Sequence, residues 1–365
     1  MKKIKKHTKN TTLSDFLDLW IKEELMTSSH SSNTLSTYLV IVKKIQNSSI
    51  GQLLLRKITA EHLQAFMDEI SFGEKAYAKS TCNCYMSVLN KVFRFAMVGK
   101  QFITTNPMEF VINKKRAHAF SITQCDPSSV NTITSQQFKS ICAYLHERHS
   151  SSLLPIQIGY YTGLRLGEVC GLTWDDIDLE NEYMIVRRTV YYNTNLHCME
   201  IGPTKSGKTR IVDFGHTLSD ILKNARAIQN ELDYTSSAHC YQNYYKKICE
   251  TNRNRYELHR FRRNEKIPSS MHKMNFVCHL SNGSYLMPRT IQNMCISVRQ
   301  SLSGLEHFHF HSLRHTYTSN LLNQGAAPQD VQELLGHADV RTTMNIYAHS
   351  LRSSRRESVH LLDQI

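Results

Sequence analysis

No stretch of this chain is apolar for long enough to span a bilayer, and no apolar run follows the lysine-rich start Met1–Lys9. The sequence therefore offers neither a membrane span nor a signal peptide. Ordered cysteine spacing is also missing. The 10 cysteines are scattered, and the close pair Cys82 and Cys84 is too tight for a zinc knuckle, so they read as reduced thiols of a cytoplasmic protein. Acidic residues are in deficit: 31 Asp and Glu against 44 Lys and Arg leave a formal charge of +13. That excess suits a polyanion, nucleic acid before an anionic membrane. The remaining composition is that of a globular protein, 41% hydrophobic over 365 residues, enough for two domains or three with sizeable cores.

Met1–Asn10 reads as a basic arm. From Thr12 the apolar residues recur at helical spacing, first Leu13, Phe16, Leu17 and Trp20, then Leu35, Tyr38, Leu39 and Val42. Ser31-Ser32-Asn33 offers a cap for the second helix, and Thr59 for a third that carries Leu63, Phe66, Met67 and Ile70. A fourth spans Ser80–Val98, with Tyr85, Val88, Leu89, Val92 and Ala96 on one face. Asn106-Pro107 closes this all-helical unit, residues 11–106. Weak periodicity, the basic patch Lys114-Lys115-Arg116 and the turn-prone Asp126-Pro127-Ser128 mark 107–132 as a linker. Residues 133–365 read as a second domain, mainly α with a small β-sheet. Its helices run through Phe138–Leu145 and Leu153–Tyr161, and Tyr183–Tyr192 has the β-branched and aromatic content of a strand. Met199–Ile201 and Thr209–Phe214 flank a Ser206-Gly207 turn, which predicts a hairpin. Gly325 and Gly336 stop two later helices, and Pro328 starts one. Tyr234–Asn275 is polar and basic, with Arg253, Arg255, Arg260, Arg262 and Arg263; it reads as an inserted loop facing DNA or, equally, as a solvated surface insertion.

The chemistry-bearing residues fall in four segments: TGLRLGE from Thr162, HSLRHTYTSNLLNQG from His311, LLGH from Leu334 and NIYAH from Asn345. A guanidinium is a planar fork that matches phosphate oxygens and stays charged at any working pH. Arg165 sits in a Gly163-Leu164-Arg165 turn between helices, and Arg314 shares a helical face with His311, three residues earlier. Two such forks can hold both non-bridging oxygens of a phosphodiester and favour its pentacoordinate transition state. Tyr347 can be the nucleophile; a phenol of ordinary pKa, about 10, needs nearby cations and an acceptor histidine to react. His337, directly after Gly336, can project from a helix end toward the same place. The turn Pro203–Lys208 holds two candidate acids for a leaving 5′-oxygen, Lys205 preferred and Lys208 in reserve. This set needs neither metal nor cofactor.

These residues resemble those of the tyrosine recombinases, also called the phage integrase family, and the resemblance covers nearly all the chain from Thr12. The order Arg, Lys, His-x-x-Arg, His, Tyr is met by Arg165, Lys205, His311 with Arg314, His337 and Tyr347. Glu168 stands where an acidic residue often follows the first arginine and buttresses the site. The resemblance implies a helical core-binding domain and a catalytic domain gripping a double-stranded DNA attachment site as a C-shaped clamp. It implies attack by Tyr347 on a backbone phosphate, a 3′-phosphotyrosyl link and a free 5′-hydroxyl, then reversal by the 5′-hydroxyl of a partner duplex, without ATP or metal. It further implies integration or excision of a phage or mobile element by a tetramer acting in pairs through a Holliday junction, with an excisionase and a host DNA-bending protein as further partners. Val359, Leu362 and Ile365 then dock on a neighbouring subunit or fold onto their own domain.

Three features depart from the family pattern. Integrases of conjugative elements and many phages carry an arm-binding domain before the core-binding one, whereas Met1–Asn10 alone precede it here, as suits a shortened or simpler integrase. Tyr347 lies one residue further from His337 than in the commonest spacing. Tyr234–Asn275 is longer than the family leads one to expect.

Rival readings leave marks of their own. Gly202–Thr209 spells GPTKSGKT, which satisfies the phosphate-binding loop of NTPases, but that loop must open a helix, and Arg210–Phe214 reads as a strand. His307, His309, His311 and His315 have spacings that can bind zinc, yet no carboxylate or cysteine completes the set. A type IB topoisomerase shares the tyrosine chemistry, and a non-catalytic DNA-binding protein would have lost these residues.

Overall fold

The computed structural model describes residues 10–28, 32–114, 131–235, 240–249 and 254–336. His337 and Tyr347, the arm Met1–Lys9, the apolar tail residues Val359, Leu362 and Ile365, and Ser31 of the expected cap lie outside them. The chain divides into two compact units, Met1–Ile122 and Thr123–Ile365.

The first unit is helical: α1 (Leu13–Trp20), α2 (Ser32–Gln46), α3 (Ala60–Phe72) and α4 (Lys79–Arg94). Leu13, Phe16 and Leu17 of α1, Ile45 of α2, Leu63 of α3 and Val88, Leu89 and Val92 of α4 are wholly buried in one core. The apolar stripes read at helical spacing are the faces that meet there. Thr59 caps α3 by accepting from the His62 amide, and the His62 ring reaches back to the Thr59 amide. α4 ends earlier than the stripe implies, because Phe95–Gly99 widens into a π-helical turn. Met108 and Val111 are buried in this same core, so the packed unit runs past the boundary expected at residue 106.

The second unit begins with α5 (Ser135–Glu147), α6 (Leu153–Thr162) and α7 (Leu166–Cys170). Five strands follow, β1 (Ile177–Asp178), β2 (Tyr183–Val186), β3 (Thr189–Asn193), β4 (Cys198–Gly202) and β5 (Arg210–Asp213), then α8 (His216–Thr235). β6 (Tyr241–Cys249), β7 (Asn254–Arg262) and β8 (Met271–Met274) precede α9 (Pro288–Ser301), α10 (Phe310–Asn323) and α11 (Pro328–Leu335). The strands form two antiparallel sheets, β1-β2-β5 and β3-β4-β7-β6-β8. The mainly helical class with small sheets is thus present as expected.

Three local expectations are corrected. Tyr183–Tyr192 is not one strand: it breaks at Arg187-Arg188 into β2 and β3, which belong to different sheets. Consecutive strand residues point to opposite faces, yet Arg187 and Arg188 both reach the buried Asp176, at 2.6 and 2.8 Å. The predicted hairpin is not one either. β4 pairs with β3 and β7, β5 pairs with β2, and the Ser206-Gly207 turn links the two sheets. The hairpin partner of β4 is β3, joined through a turn in which Asn193 Oδ1 accepts from the amides of Asn195 and Leu196. Finally, most of Tyr234–Asn275 is regular sheet: β6 and β7 pair over their full lengths, and β7 adds to β4 through Glu200–Glu257 and Ile201–Tyr256.

Candidate active site

The segment TGLRLGE serves local geometry before chemistry. Gly163 ends α6 with φ +63°, and a Cβ there would lie 2.6 Å from the Tyr317 ring of α10. Leu164 is buried, and Arg165 then caps α7. Glu168 reaches back to accept from the Arg165 amide at 3.0 Å and from Arg165 Nη1 at 3.0 Å. Gly167 lets β3 approach, since a Cβ would sit 2.2 Å from Thr189 Oγ1. On α6, Gly159 makes room for Phe310 of α10. The close fit of α6 on α10 brings Arg165 and Arg314, distant in sequence, to one place.

Arg314 is 1% exposed. Its Nη1 donates to the Gly163 carbonyl and its Nη2 to the Leu335 carbonyl, both at 2.8 Å. These are acceptors left over at the ends of α6 and α11, so the guanidinium is held by the negative ends of two helices. Burial pushes Arg314 down to about 9, with the Arg165 and Arg210 charges adding to the fall and Glu168 opposing it. It remains a cation at neutral pH. His311, one helical turn before it, keeps an exposed edge and meets His315 at a ring separation of 4.7 Å. Withdrawal of its ring from water, then the neighbouring His315, Arg314, His309 and Arg165, push it down to about 4. At neutral pH it is an uncharged imidazole, able to accept a proton.

Glu168 is 1% exposed. Burial opposes its ionisation, but hydrogen bonds and charge from Arg210 and Arg165 outweigh that and hold the carboxyl below its ordinary value. Arg210 was not among the residues singled out from the sequence. It opens β5 and donates through Nη1 and Nη2 to both oxygens of Glu168, at 3.2 and 2.8 Å. One signal was available: Arg210 shares the inward face of β5 with buried Val212, where a cation requires a buried acid. Three guanidiniums therefore cluster near one carboxylate, which pairs with Arg165 and Arg210, while Arg314 is held by neutral carbonyls. The surplus positive charge, presented by preorganised donors, can hold an anion such as a phosphate that gains charge during reaction.

Lys205 and Lys208 are exposed on the turn before β5. Thr204 fixes that turn through its hydroxyl to the Lys208 carbonyl at 2.7 Å, and Gly207 takes φ +71°. β5, not a helix, follows GPTKSGKT, so the NTPase reading fails on geometry. Among the described residues no group of three or more His, Cys, Asp or Glu is placed to hold a metal ion. Tyr317, on the same helix as Arg314, is no ready nucleophile: burial pushes its phenol up to about 12. α11 ends at Gly336 with φ +64°, one residue before His337.

Comparison with known sequences decides the family. Residues 131–354 match the profile described as "Phage integrase family", and residues 17–100 match "Phage integrase, N-terminal SAM-like domain". The chain belongs to the phage integrase family, the site-specific tyrosine recombinases. Among curated relatives, the integrase of Staphylococcus phage L54a is 22% identical over 369 residues, covering 98% of this chain and 94% of the phage protein. Among solved structures, the Tn1549 transposon integrase in complex with a circular intermediate DNA superposes with TM-score 0.69 at 18% identity, covering 96% of this chain and 99% of that one. A lambda integrase dimer bound to a core site gives TM-score 0.59 at 17% identity, covering 91% and 97%. At these identities the structural likeness concerns the fold of the recombinase. No described helix is long and apolar enough to cross a membrane.

Proposed function

We propose that this recombinase breaks and rejoins double-stranded DNA at attachment sites of a mobile element or phage, through a tyrosine–DNA link. The observation that supports this reading is the meeting of Arg165, Arg314 and His311 around uncompensated positive charge. Arg165 and Arg314 hold the non-bridging oxygens of the scissile phosphate. The Tyr347 oxygen attacks phosphorus, its proton passing to His311 or His337. The bond to the 5′-oxygen breaks, and Lys205 protonates that oxygen, with Lys208 the alternative. Rejoining is the reverse with the 5′-hydroxyl of a second duplex, so the phosphodiester energy is kept in the covalent link. The DNA-bound recombinases of the same fold are consistent with the substrate class. A tetramer on DNA with an excisionase and a host DNA-bending protein completes this reading. So does division of the chain into a DNA-gripping unit, a linker and a catalytic domain.

The test is incubation with a nicked suicide substrate, from which the short 5′ fragment diffuses away. The full-length protein is expected to trap as a covalent adduct, while Tyr347→Phe binds the same duplex and traps none. An undiminished adduct in Tyr347→Phe overturns the nucleophile assignment. Strand exchange between two duplexes then separates a recombinase from a topoisomerase.

A further inference from the structure

We infer that Arg210 is a positioning residue, a latch that ties the phosphate-gripping arginines to the exit of the helix leading into His337. The inference rests on the function proposed above and deepens it.

Arg210 is the point where three parts of the site meet. Its fork is bidentate on Glu168, the carboxylate that also fixes Arg165 through side chain and amide. Its Nε donates to the Leu334 carbonyl at 2.9 Å. The next carbonyl, that of Leu335, is taken by Arg314. Two guanidiniums thus hold consecutive carbonyls at the end of α11, where the chain leaves toward His337 and Tyr347. Gly336 shows how closely the latch is fitted. A Cβ there would lie 3.0 Å from Arg210 Cδ and 3.2 Å from its Nε and Nη1, and φ is +64°. The glycine leaves the space that the arginine occupies.

Arg210 is a different kind of arginine from Arg165 and Arg314. Each of its three nitrogens already donates to a protein acceptor, two of them to the Glu168 carboxylate and Nε to the Leu334 carbonyl. It acts through Glu168 and through the α11 exit, not on phosphate. It also opens β5, two residues after Lys208, so the turn bearing the candidate acid is anchored to the same knot. A lysine could supply the charge but not the fork, since one ammonium cannot span both oxygens of Glu168 and the Leu334 carbonyl in this geometry.

The experiment compares cleavage of the nicked suicide substrate at saturating DNA with affinity for the same duplex, in the full-length chain. Arg210→Ala is expected to lower cleavage about 10²-fold, the scale of a small misplacement of reacting groups, while affinity changes less than about threefold. Arg210→Lys should recover little, and added methylguanidinium should restore part of the rate to Arg210→Ala. Gly336→Ala, which strikes the latch from the other side, should lower cleavage without lowering affinity. The double variant Glu168→Gln with Arg210→Ala should lose no more than the worse single variant, because both act through one knot. Should Arg210→Ala not fold cooperatively, Arg210→Gln takes its place in every comparison. The latch is overturned if cleavage stays within about threefold of the parent, if it falls only in step with DNA affinity, or if the two losses multiply. The parent protein is the control. If it forms no adduct, the proposed function fails, and not the latch alone.

Discussion

The second unit contains two knots built on the same plan. In each, a buried carboxylate holds two arginines: Glu168 with Arg165 and Arg210, and Asp176 with Arg187 and Arg188. Both acids also cap a short helical turn, since Glu168 reaches back to the Arg165 amide and Asp176 to the Thr173 amide. They differ in what stands beside them. Arg188 donates further to the Gly171 carbonyl and the Thr173 hydroxyl, so the Asp176 knot is satisfied within itself. The Glu168 knot faces Arg314, whose own partners are neutral carbonyls. An ion-pair knot becomes an anion site when one more guanidinium is added without an acid. On the proposed function, what sets the Glu168 knot apart is the further guanidinium of Arg314, which is held by carbonyls alone.

The largest effect that would sharpen this contrast is loss of the surplus cation. Arg314→Ala is expected to bind DNA but to cleave the suicide substrate about 10²–10³-fold more slowly, the usual cost of removing one preorganised donor to a transition-state oxyanion. Arg165→Ala should behave alike. If either cleaved at the parental rate, the cluster would be a second structural knot and the comparison would fail.

The Asp176 knot should respond in the opposite sense. Asp176→Asn leaves Arg188 largely buried with its charge unmatched, and breaking such a pair from one side costs about 3–5 kcal/mol of stability. Cleavage per folded molecule should be unchanged. Denaturant melting together with active-site titration by adduct yield checks both halves. A variant that kept its stability but lost cleavage would place Asp176 in the chemistry.

The same contrast explains what the sequence made legible. Among its described residues the first unit buries Thr11, Ser71 and Asn106 as its polar residues, with no charged side chain among them. Its helices follow from apolar spacing and from caps such as Thr59, because local pattern and burial coincide. In the second unit the informative contacts are between charges far apart in sequence. Arg165 was readable from its TGLRLGE segment and the matching Arg314 downstream, and its partner Glu168 lies within that same segment, three residues on. Arg210 was not, because its partner lies 42 residues back and the intervening chain changes sheets. The break at Arg187-Arg188 was hidden for a similar reason: the run of β-branched and aromatic residues continues across it, and only the buried Asp176 forces it. The Ser206-Gly207 turn signalled a hairpin locally, but strand partners are chosen by longer-range fit, here the turn at Asn193 and the edge supplied by β7. In β7 the alternation of Tyr256 and Leu258 with charged neighbours was present, masked by the density of arginines.

The smallest expected effect concerns pH, and it tests whether the histidines share the field of the Glu168 knot. His311 has an ordinary value of 6.5 and is pushed down to about 4 by withdrawal from water and by neighbours that include Arg314 and Arg165. His309 and His315 are lowered too, each first by burial, then by nearby charge. The folded protein therefore binds these protons less readily than the unfolded chain. Between pH 6.5 and about 4 the unfolded state takes up more protons, so stability falls as pH falls through that window; below about 4 His311 is protonated in both states and its share of the loss is complete. Calorimetric melting at constant ionic strength should show a midpoint that drops across this range, and His311→Gln should drop less steeply. Bound duplex DNA brings a phosphate anion beside the imidazole, which favours its protonated form, so the complex should melt with a shallower dependence than the free protein. An identical slope in His311→Gln would mean that the imidazole does not feel the arginine cluster, and would separate it from the site that Arg165 and Arg314 define.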